Sequence, residues 1–255
     1  MFSPDRKVRE AYEPGQVLDF GDYKVRLRVN ERARRISVRI DNRTGDAIVT
    51  APRPKYLKDA VEFAKTRHDW ILQTRRGQTR PVPFSPGAQL SIKGYPVVLA
   101  ERAGVISPKA EQVDGSWQLV SSGDAATFSR RVERYLRTQA QKTFQAETDR
   151  LAAKLGFSGI KVSLFDAHAR WGSCSPSKKS IRYSWRIIMA PTDVLVYLAA
   201  HEVAHLRHPD HSPAFWATVT ELYGKPWKPA RSWLKTRGHE LFKYAAARDL
   251  KGQGE

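Results

Sequence analysis

Cysteine is nearly absent from this sequence, with Cys174 as the only one in 255 residues. A single thiol excludes an intramolecular disulfide and a zinc ribbon built from paired cysteines. Long apolar runs are missing too, and the most apolar stretch, residues 194–200, is too short to span a bilayer. The N-terminus is polar and lacks the apolar segment of a secretory signal. We therefore expect a cytoplasmic protein with no membrane partner.

Acidic residues are also scarce, with 26 aspartates and glutamates against 44 lysines and arginines, so the net charge is +18. The excess is spread along the chain and is not held in one tail. A field of this sign attracts nucleic acid and other polyanions but says nothing about the fold. We keep nucleic acid as a second class of partner, with a solvated basic surface as the alternative.

The N-terminal part of the sequence is predicted to be rich in β-structure. Apolar and polar residues alternate in three runs, which predicts an antiparallel meander with Lys24, Arg26 and Arg28 on its exposed face. These runs are residues 24–29, 35–40 and 47–51. A helical period then covers residues 56–76, with Trp70 on its apolar side. Short strand-like runs follow at residues 90–92, 96–100 and 117–120.

The C-terminal part of the sequence is predicted to be mainly helical. Helices are expected over residues 126–154, 193–208, 213–224 and 229–247. Two strand-like runs, 160–167 and 180–188, are joined by a turn rich in glycine, serine, proline and lysine. No internal repeat is visible. We predict an α+β fold with these parts: a flexible segment 1–18, a β-rich subdomain with one helix 19–122, a second subdomain 123–247, and a tail 248–255.

The helix predicted over residues 193–208 begins with an almost continuous apolar run, which is typical of a buried helix. It carries the sequence His201-Glu202-Val203-Ala204-His205. Imidazoles at i and i+4 lie on one face, where both can bind one zinc ion at about 2.0–2.1 Å. Glu202 follows the first ligand and is offset from the metal, as a general base would be. We predict one catalytic Zn²⁺ with Glu202 as general base.

A catalytic zinc ion usually takes a third protein ligand and keeps one position for water. His208 lies on the same face but about 10 Å of helical rise beyond His201, which is too far for one tetrahedral ion. Pro209 then ends the helix and can turn the chain back toward the metal. His211 is the first strong ligand after that turn and is our prediction, while Asp210 and Glu221 remain open alternatives.

Three further runs accompany the histidine motif. They are Arg-Trp-Gly-Ser-Cys-Ser at residues 170–175, Trp-Arg at 185–186 before Ala-Pro at 190–191, and His-Ser-Pro-Ala-Phe-Trp at 211–216. Together with the motif they resemble the YgjP-like family of metallopeptidases, relatives of the WLM and SprT-type zincins, and the resemblance extends more weakly over residues 19–240. It implies a zincin-like catalytic half, with His201, His205 and His211 as zinc ligands and Glu202 as catalytic acid and base.

Two positions depart from related patterns. Ser184 stands where sequences of this family often have asparagine before the Trp-Arg pair. The spacing from His205 to His211 equals that of metzincins, but His208 replaces the glycine that metzincins need, so we do not assign the chain to that group.

We therefore expect a zinc-dependent peptidase that cleaves a peptide or protein substrate. An extended peptide would add to the edge of the strand predicted over residues 180–188. Arg170 and His168 are candidates to stabilise the oxyanion, and Cys174 is expected to be a small buried apolar residue. The alternative function is a basic, nucleic-acid-associated zinc protein that acts on DNA-bound proteins.

Overall fold

A computed structural model describes residues 12–41, 44–76, 81–166 and 170–245. The helices are α1 (Leu57–Thr66), α2 (His68–Arg76), α3 (Ala125–Lys154), α4 (Thr192–Ala204), α5 (Pro213–Tyr223) and α6 (Lys228–Arg237). The strands are β1 (Val17–Asp19), β2 (Lys24–Val29), β3 (Ser37–Ile40), β4 (Ala47–Ala51), β5 (Val82–Pro83), β6 (Gln89–Ile92), β7 (Tyr95–Glu101), β8 (Lys109–Val113), β9 (Ser116–Ser121), β10 (Lys161–Phe165), β11 (Gly172–Ser175), β12 (Ser180–Ser184) and β13 (Tyr244–Ala245). Short 3-10 helices cover Pro54–Tyr56, Pro176–Lys178, Trp185–Met189 and Gly238–Phe242. The predicted tail 248–255 and residues 1–11 of the predicted N-terminal segment lie outside the described residues.

The α+β class is confirmed, and the chain divides into two compact units, Met1–Arg80 and Pro81–Glu255. The sequence analysis instead places a boundary between residues 122 and 123. Strands β6 to β9 precede that boundary but belong to the second unit. The physical reason is that Leu99 and Leu119 share one buried core with α3 and α4.

The first unit contains a four-stranded sheet with the order β1-β2-β4-β3. Strands β2 and β4 are parallel, whereas β3 and β4 are antiparallel. The predicted meander is therefore wrong, because β4 lies between β2 and β3. The predicted alternation is confirmed, since Val25 and Leu27 are buried while Lys24, Arg26 and Arg28 are exposed.

One arrangement of three strands occurs three times along the chain. In each set the first strand is parallel to the third, and the second strand is antiparallel to the third and lies at a sheet edge. The sets are β2-β3-β4, β7-β8-β9 and β10-β11-β12. A helix follows each third strand: α1, α3 and α4 respectively. This recurrence lies in strand pairing and not in residue identity, which is why no repeat is visible in the sequence.

Several helix and strand limits differ from the sequence-based expectations. The helix predicted over 56–76 is broken at Arg67, and Trp70 is 42% exposed. The last helix ends at Arg237, well before residue 247. The turn predicted between the two strand runs contains a strand, β11, which a sequence of small residues does not reveal.

The predicted helix of residues 126–154 is confirmed as α3. Its N-cap is Asp124, whose carboxylate accepts a hydrogen bond from the backbone N–H of Thr127. Phe128, Leu136 and Phe144 on one side are fully buried. Within the described part of the chain, no helix combines the length and the apolar character needed to cross a membrane.

Arg186 anchors the C-terminal segment of the second unit. Its guanidinium donates to both carboxylate oxygens of Asp166, at 2.8 and 3.1 Å, and to the backbone carbonyls of Leu241 and Tyr244. The Arg186 side chain is only 5% exposed. Burial raises the pKa of Asp166, but the hydrogen bonds and charge of Arg186 outweigh it, so this pKa is lowered.

We predict that Asp166→Asn lowers the free energy of unfolding by about 2–3 kcal/mol at pH 7. This is slightly below the values for a fully buried pair, about 3–5 kcal/mol, because the Asp166 side chain is 24% exposed. Asp193→Asn breaks a solvent-exposed pair with Lys225 and should cost less than about 1 kcal/mol. Urea denaturation of both variants gives these values.

The pH dependence of the same pair provides a second readout. Because the folded-state pKa of Asp166 is lowered, its stabilisation is complete above its unfolded pKa and is lost as the pH falls through the folded pKa. The difference between unaltered protein and Asp166→Asn should shrink over that acidic range. A difference that stays constant down to the folded pKa would contradict the ion-pair explanation.

Candidate metal centre

His201 and His205 lie one turn apart near the end of α4. Their ring centroids are 5.0 Å apart. The helix ends at Ala204, four residues before the predicted end at residue 208, so His205 occupies the C-cap position. Both side chains are half-buried, and the preceding residues 197–200 are buried in the core.

His211 is brought back to the same place by the reversal between α4 and α5. Ser212 caps α5, accepting from the backbone N–H of Phe215, and Pro213 occupies the first turn. The Nε2 atoms of His211 and His201 are 3.3 Å apart. One donor atom from each of His201, His205 and His211 lies within 4.8 Å of the others.

This histidine cluster suits a zinc ion. Two ligands of a tetrahedral zinc at 2.0–2.1 Å are about 3.3–3.4 Å apart, which is the separation of the His201 and His211 nitrogens. Nδ1 of His201 is buried and has no hydrogen-bond partner in the described part of the chain, so a metal at Nε2 would be the main polar contact of this ring. Burial lowers the pKa of His201 to about 3, with His205 and His211 adding to the effect, which favours the neutral form that binds metals.

Neighbouring groups fix the orientation of the imidazoles. Nδ1 of His205 donates a hydrogen bond to the backbone carbonyl of His208 at 2.9 Å, which leaves its Nε2 available to a metal. The ring of Phe215 lies 4.5–5.0 Å from all three imidazole centroids.

The other candidates for the third ligand have different surroundings. The His208 ring hydrogen-bonds Thr218. Asp210 is exposed and accepts a hydrogen bond from the backbone N–H of Ser212. Glu221 is exposed and lines a hollow beside Trp227. None of these three residues belongs to the cluster that the described residues form.

Glu202 is buried, with 5% of its surface exposed. Burial raises its pKa to about 8, and the charge of Arg170 acts in the opposite direction. Its carboxylate lies against Gly172 at the start of β11, where an added Cβ would come within 2.7 Å of both Cγ and Cδ of Glu202. Gly172 is a functional candidate that the sequence analysis missed. The sequence contains no separate signal for it, because this glycine falls in the turn predicted between the two strand runs, whereas it begins β11.

The remaining candidates from the sequence have distinct positions. Cys174 on β11 is half-buried, and burial together with the nearby Glu202 charge raises its thiol pKa to about 12, as expected for an inert thiol. Arg170 is exposed and lies over the ring of Phe165 at 5.8 Å. His168 lies outside the described residues. Ser184 is fully buried, and its backbone N–H donates to the carbonyl of Trp171.

Some of the basic residues that contribute to the net charge are bound to groups of the protein itself. On α3, Arg131 donates to the backbone carbonyl of Ser122, and Arg137 pairs with Glu133. On β2, the exposed cations make no ion pair with any described residue: Lys24, Arg26 and Arg28. A nucleic-acid partner stays a prediction.

The chain is similar to known metallopeptidases. A family model described as "YgjP-like, metallopeptidase domain" matches residues 34–237. None of the curated proteins compared with the chain matches it. A solved structure, the metallopeptidase zymogen of Pyrococcus abyssi abylysin, is 20% identical with a TM-score of 0.33. That similarity covers 37% of this chain and 95% of the zymogen chain.

The histidine cluster predicts that one zinc ion binds per chain. We expect His201→Ala, His205→Ala and His211→Ala each to weaken zinc binding at least about 100-fold, because loss of a single outer-shell partner already weakens it about 10–100-fold. His208→Ala is the matched control, and competition with a chelating dye measures the affinity. If His211→Ala bound zinc with unaltered affinity, the third ligand would have to be Asp210 or Glu221 instead.

Proposed function

The chain belongs to the YgjP-like family of metallopeptidase domains, and we propose that it is a zinc-dependent peptidase with Glu202 as general base. The observation that carries this proposal is the combination of two features at the end of α4 and in the segment that follows it. The nitrogens of His201, His205 and His211 converge, and the buried carboxylate of Glu202 follows the first of them in the sequence. Three protein ligands with a nearby carboxylate are typical of a catalytic site and not of a structural zinc site, which fills all four positions.

The proposed reaction is hydrolysis of a peptide bond. A zinc ion held by the cluster would lower the pKa of a water molecule toward about 7 and polarise the scissile carbonyl. The positive charge of that zinc ion would favour the ionised form of Glu202. This carboxylate would accept a proton from the attacking water and then deliver it to the leaving amine. Because α4 and β11 enclose this side chain, its carboxylate is held in one place and screened from bulk water.

An extended substrate would pair with β11. The sequence analysis expected the edge of the run 180–188, and this is wrong, because β12 is paired on both sides, with β10 and β11. In the described part of the chain, β11 has one unpaired side, and its first residue, Gly172, lies against Glu202. Strand addition at this edge would bring a peptide backbone next to the general base.

We predict that Glu202→Gln lowers the rate of peptide hydrolysis about 10²–10⁴-fold, which is the usual contribution of a general base. Zinc binding should be unchanged, because Glu202 is not a ligand in this proposal. Glu221→Gln, an exposed site on α5, is the matched control. Initial rates on a mixture of fluorogenic peptides are measured beside zinc content by mass spectrometry, and full activity in Glu202→Gln would remove this residue from the chemistry.

We also predict that Gly172→Ala lowers turnover about 10–100-fold while zinc affinity stays unchanged. The new methyl group would displace the Glu202 carboxylate, and a shift of about 1 Å in a catalytic group has effects of this size. Ser173→Ala alters the adjacent residue of the same strand, which faces the other side, and serves as control. Unaltered turnover in Gly172→Ala, or loss of turnover and zinc together, would contradict the proposed role.

A further inference from the structure

Arg231 on α6 holds an exposed positive charge against two tryptophans. Its guanidinium carbon lies 5.1 Å from the ring centroid of Trp216 and 5.7 Å from that of Trp227. The two indoles are stacked on each other, with centroids 4.0 Å apart and an interplanar angle of 21°. Contact with aromatic faces restricts the orientation of the guanidinium, so that it is partly preorganised for a planar ligand.

Arg231 has no carboxylate partner among the described residues. Two neighbouring cations do: Lys225 contacts Asp193 at 2.6 Å, and Arg237 contacts Glu240 at 2.8 Å. Glu221 lines a hollow with Trp227 but forms no ion pair with Arg231 within the described chain. The charge of Arg231 is therefore available to an external anion.

This charge lies next to the histidine cluster. The ring of Trp216 is 5.8 Å from that of His201 and 5.7 Å from that of His211, so one indole separates Arg231 from two of the three imidazoles. The distance from Arg231 to Trp216 and the distance from Trp216 to either imidazole add up to about the length of three residues of extended peptide, at 3.3–3.6 Å per residue. A group bound to Arg231 would thus lie close to the reacting peptide bond.

We propose that Arg231, held on Trp216 and Trp227, is a carboxylate-binding subsite of the peptidase. Preferred substrates would carry a carboxylate within about three residues of the scissile bond. This inference rests on the proposed function and names the substrate class of the same site. A guanidinium binds a carboxylate through two parallel N–H···O bonds, a geometry that a lysine cannot reproduce.

The same carboxylate has two sources, a peptide C-terminus and an Asp or Glu side chain. The test therefore uses four versions of one peptide: free or amidated C-terminus, combined with Asp or Asn beside the cleavage position. Binding to zinc-loaded Glu202→Gln protein is measured by titration calorimetry, so that the result does not depend on turnover. Initial rates with the unaltered protein are measured in parallel.

We expect at least one carboxylate peptide to bind about 10–100-fold more tightly than its neutral counterpart, as one charge-assisted pair would give. Arg231→Gln should remove this preference while neutral peptides bind as before, and Arg231→Lys should restore only part of it. Lys235→Gln, one turn further along α6 and also exposed, is the matched control and should keep the full preference. Zinc content and thermal unfolding show whether each variant is folded.

The outcomes separate this subsite from the proposed function. A carboxylate preference that Arg231→Gln abolishes supports the subsite even if no peptide is hydrolysed, in which case only the peptidase proposal fails. Equal binding of all four peptides, or a preference that persists in Arg231→Gln, overturns the subsite even if hydrolysis proceeds. A purely structural role for Arg231 would change stability or all four affinities alike, and that result also overturns the proposal.

Discussion

The reversal of the chain between α4 and α5 is the constraint on which the candidate metal centre depends. An α-helix can present His201 and His205 to one ion, but its next residue on that face, His208, lies too far along the axis. Because α4 stops at Ala204, the chain can return and bring Nε2 of His211 within 3.3 Å of Nε2 of His201. The first turn of α5 supplies Phe215, whose ring contacts all three imidazoles. The helix that follows the reversal therefore also helps to hold the histidine cluster together.

Strand topology brings the second half of the site to the first. In each set of three strands, the strand that comes second in the sequence lies at a sheet edge. The third strand is followed by a helix. In the last set that helix is α4, and the edge strand is β11. The first residue of this edge strand, Gly172, lies against Glu202. The local requirement on the sequence is a single residue without a side chain, because a methyl group at Gly172 would overlap the Glu202 side chain.

Local patterns were sufficient for part of this description and insufficient for the rest. The helical period predicted α3 almost to the residue, and the spacing within 201–211 selected the three histidines that the fold brings together. Strand pairing was not predictable in the same way, because β4 inserts between β2 and β3 through contacts that no short window contains. Gly172 and Arg231 were missed for the same reason. Their significance depends on Glu202 and Trp216, which are distant from them in the sequence or lie on another element.

The net charge of +18 illustrates why the surroundings of a cation matter more than its number. Arg186 is buried, and Asp166 with two backbone carbonyls satisfies it, so it stabilises the fold and is closed to other ligands. Lys24 and its neighbours on β2 are exposed and can remain hydrated, so an anion gains little by replacing that water. Arg231 differs from Arg186 in having no carboxylate partner among the described residues, and from the β2 cations in its contact with two indoles, which displaces part of its hydration. Arg231 has thus already lost part of the water that anion binding would displace. Selective anion binding is therefore expected at this residue and not across the basic surface as a whole.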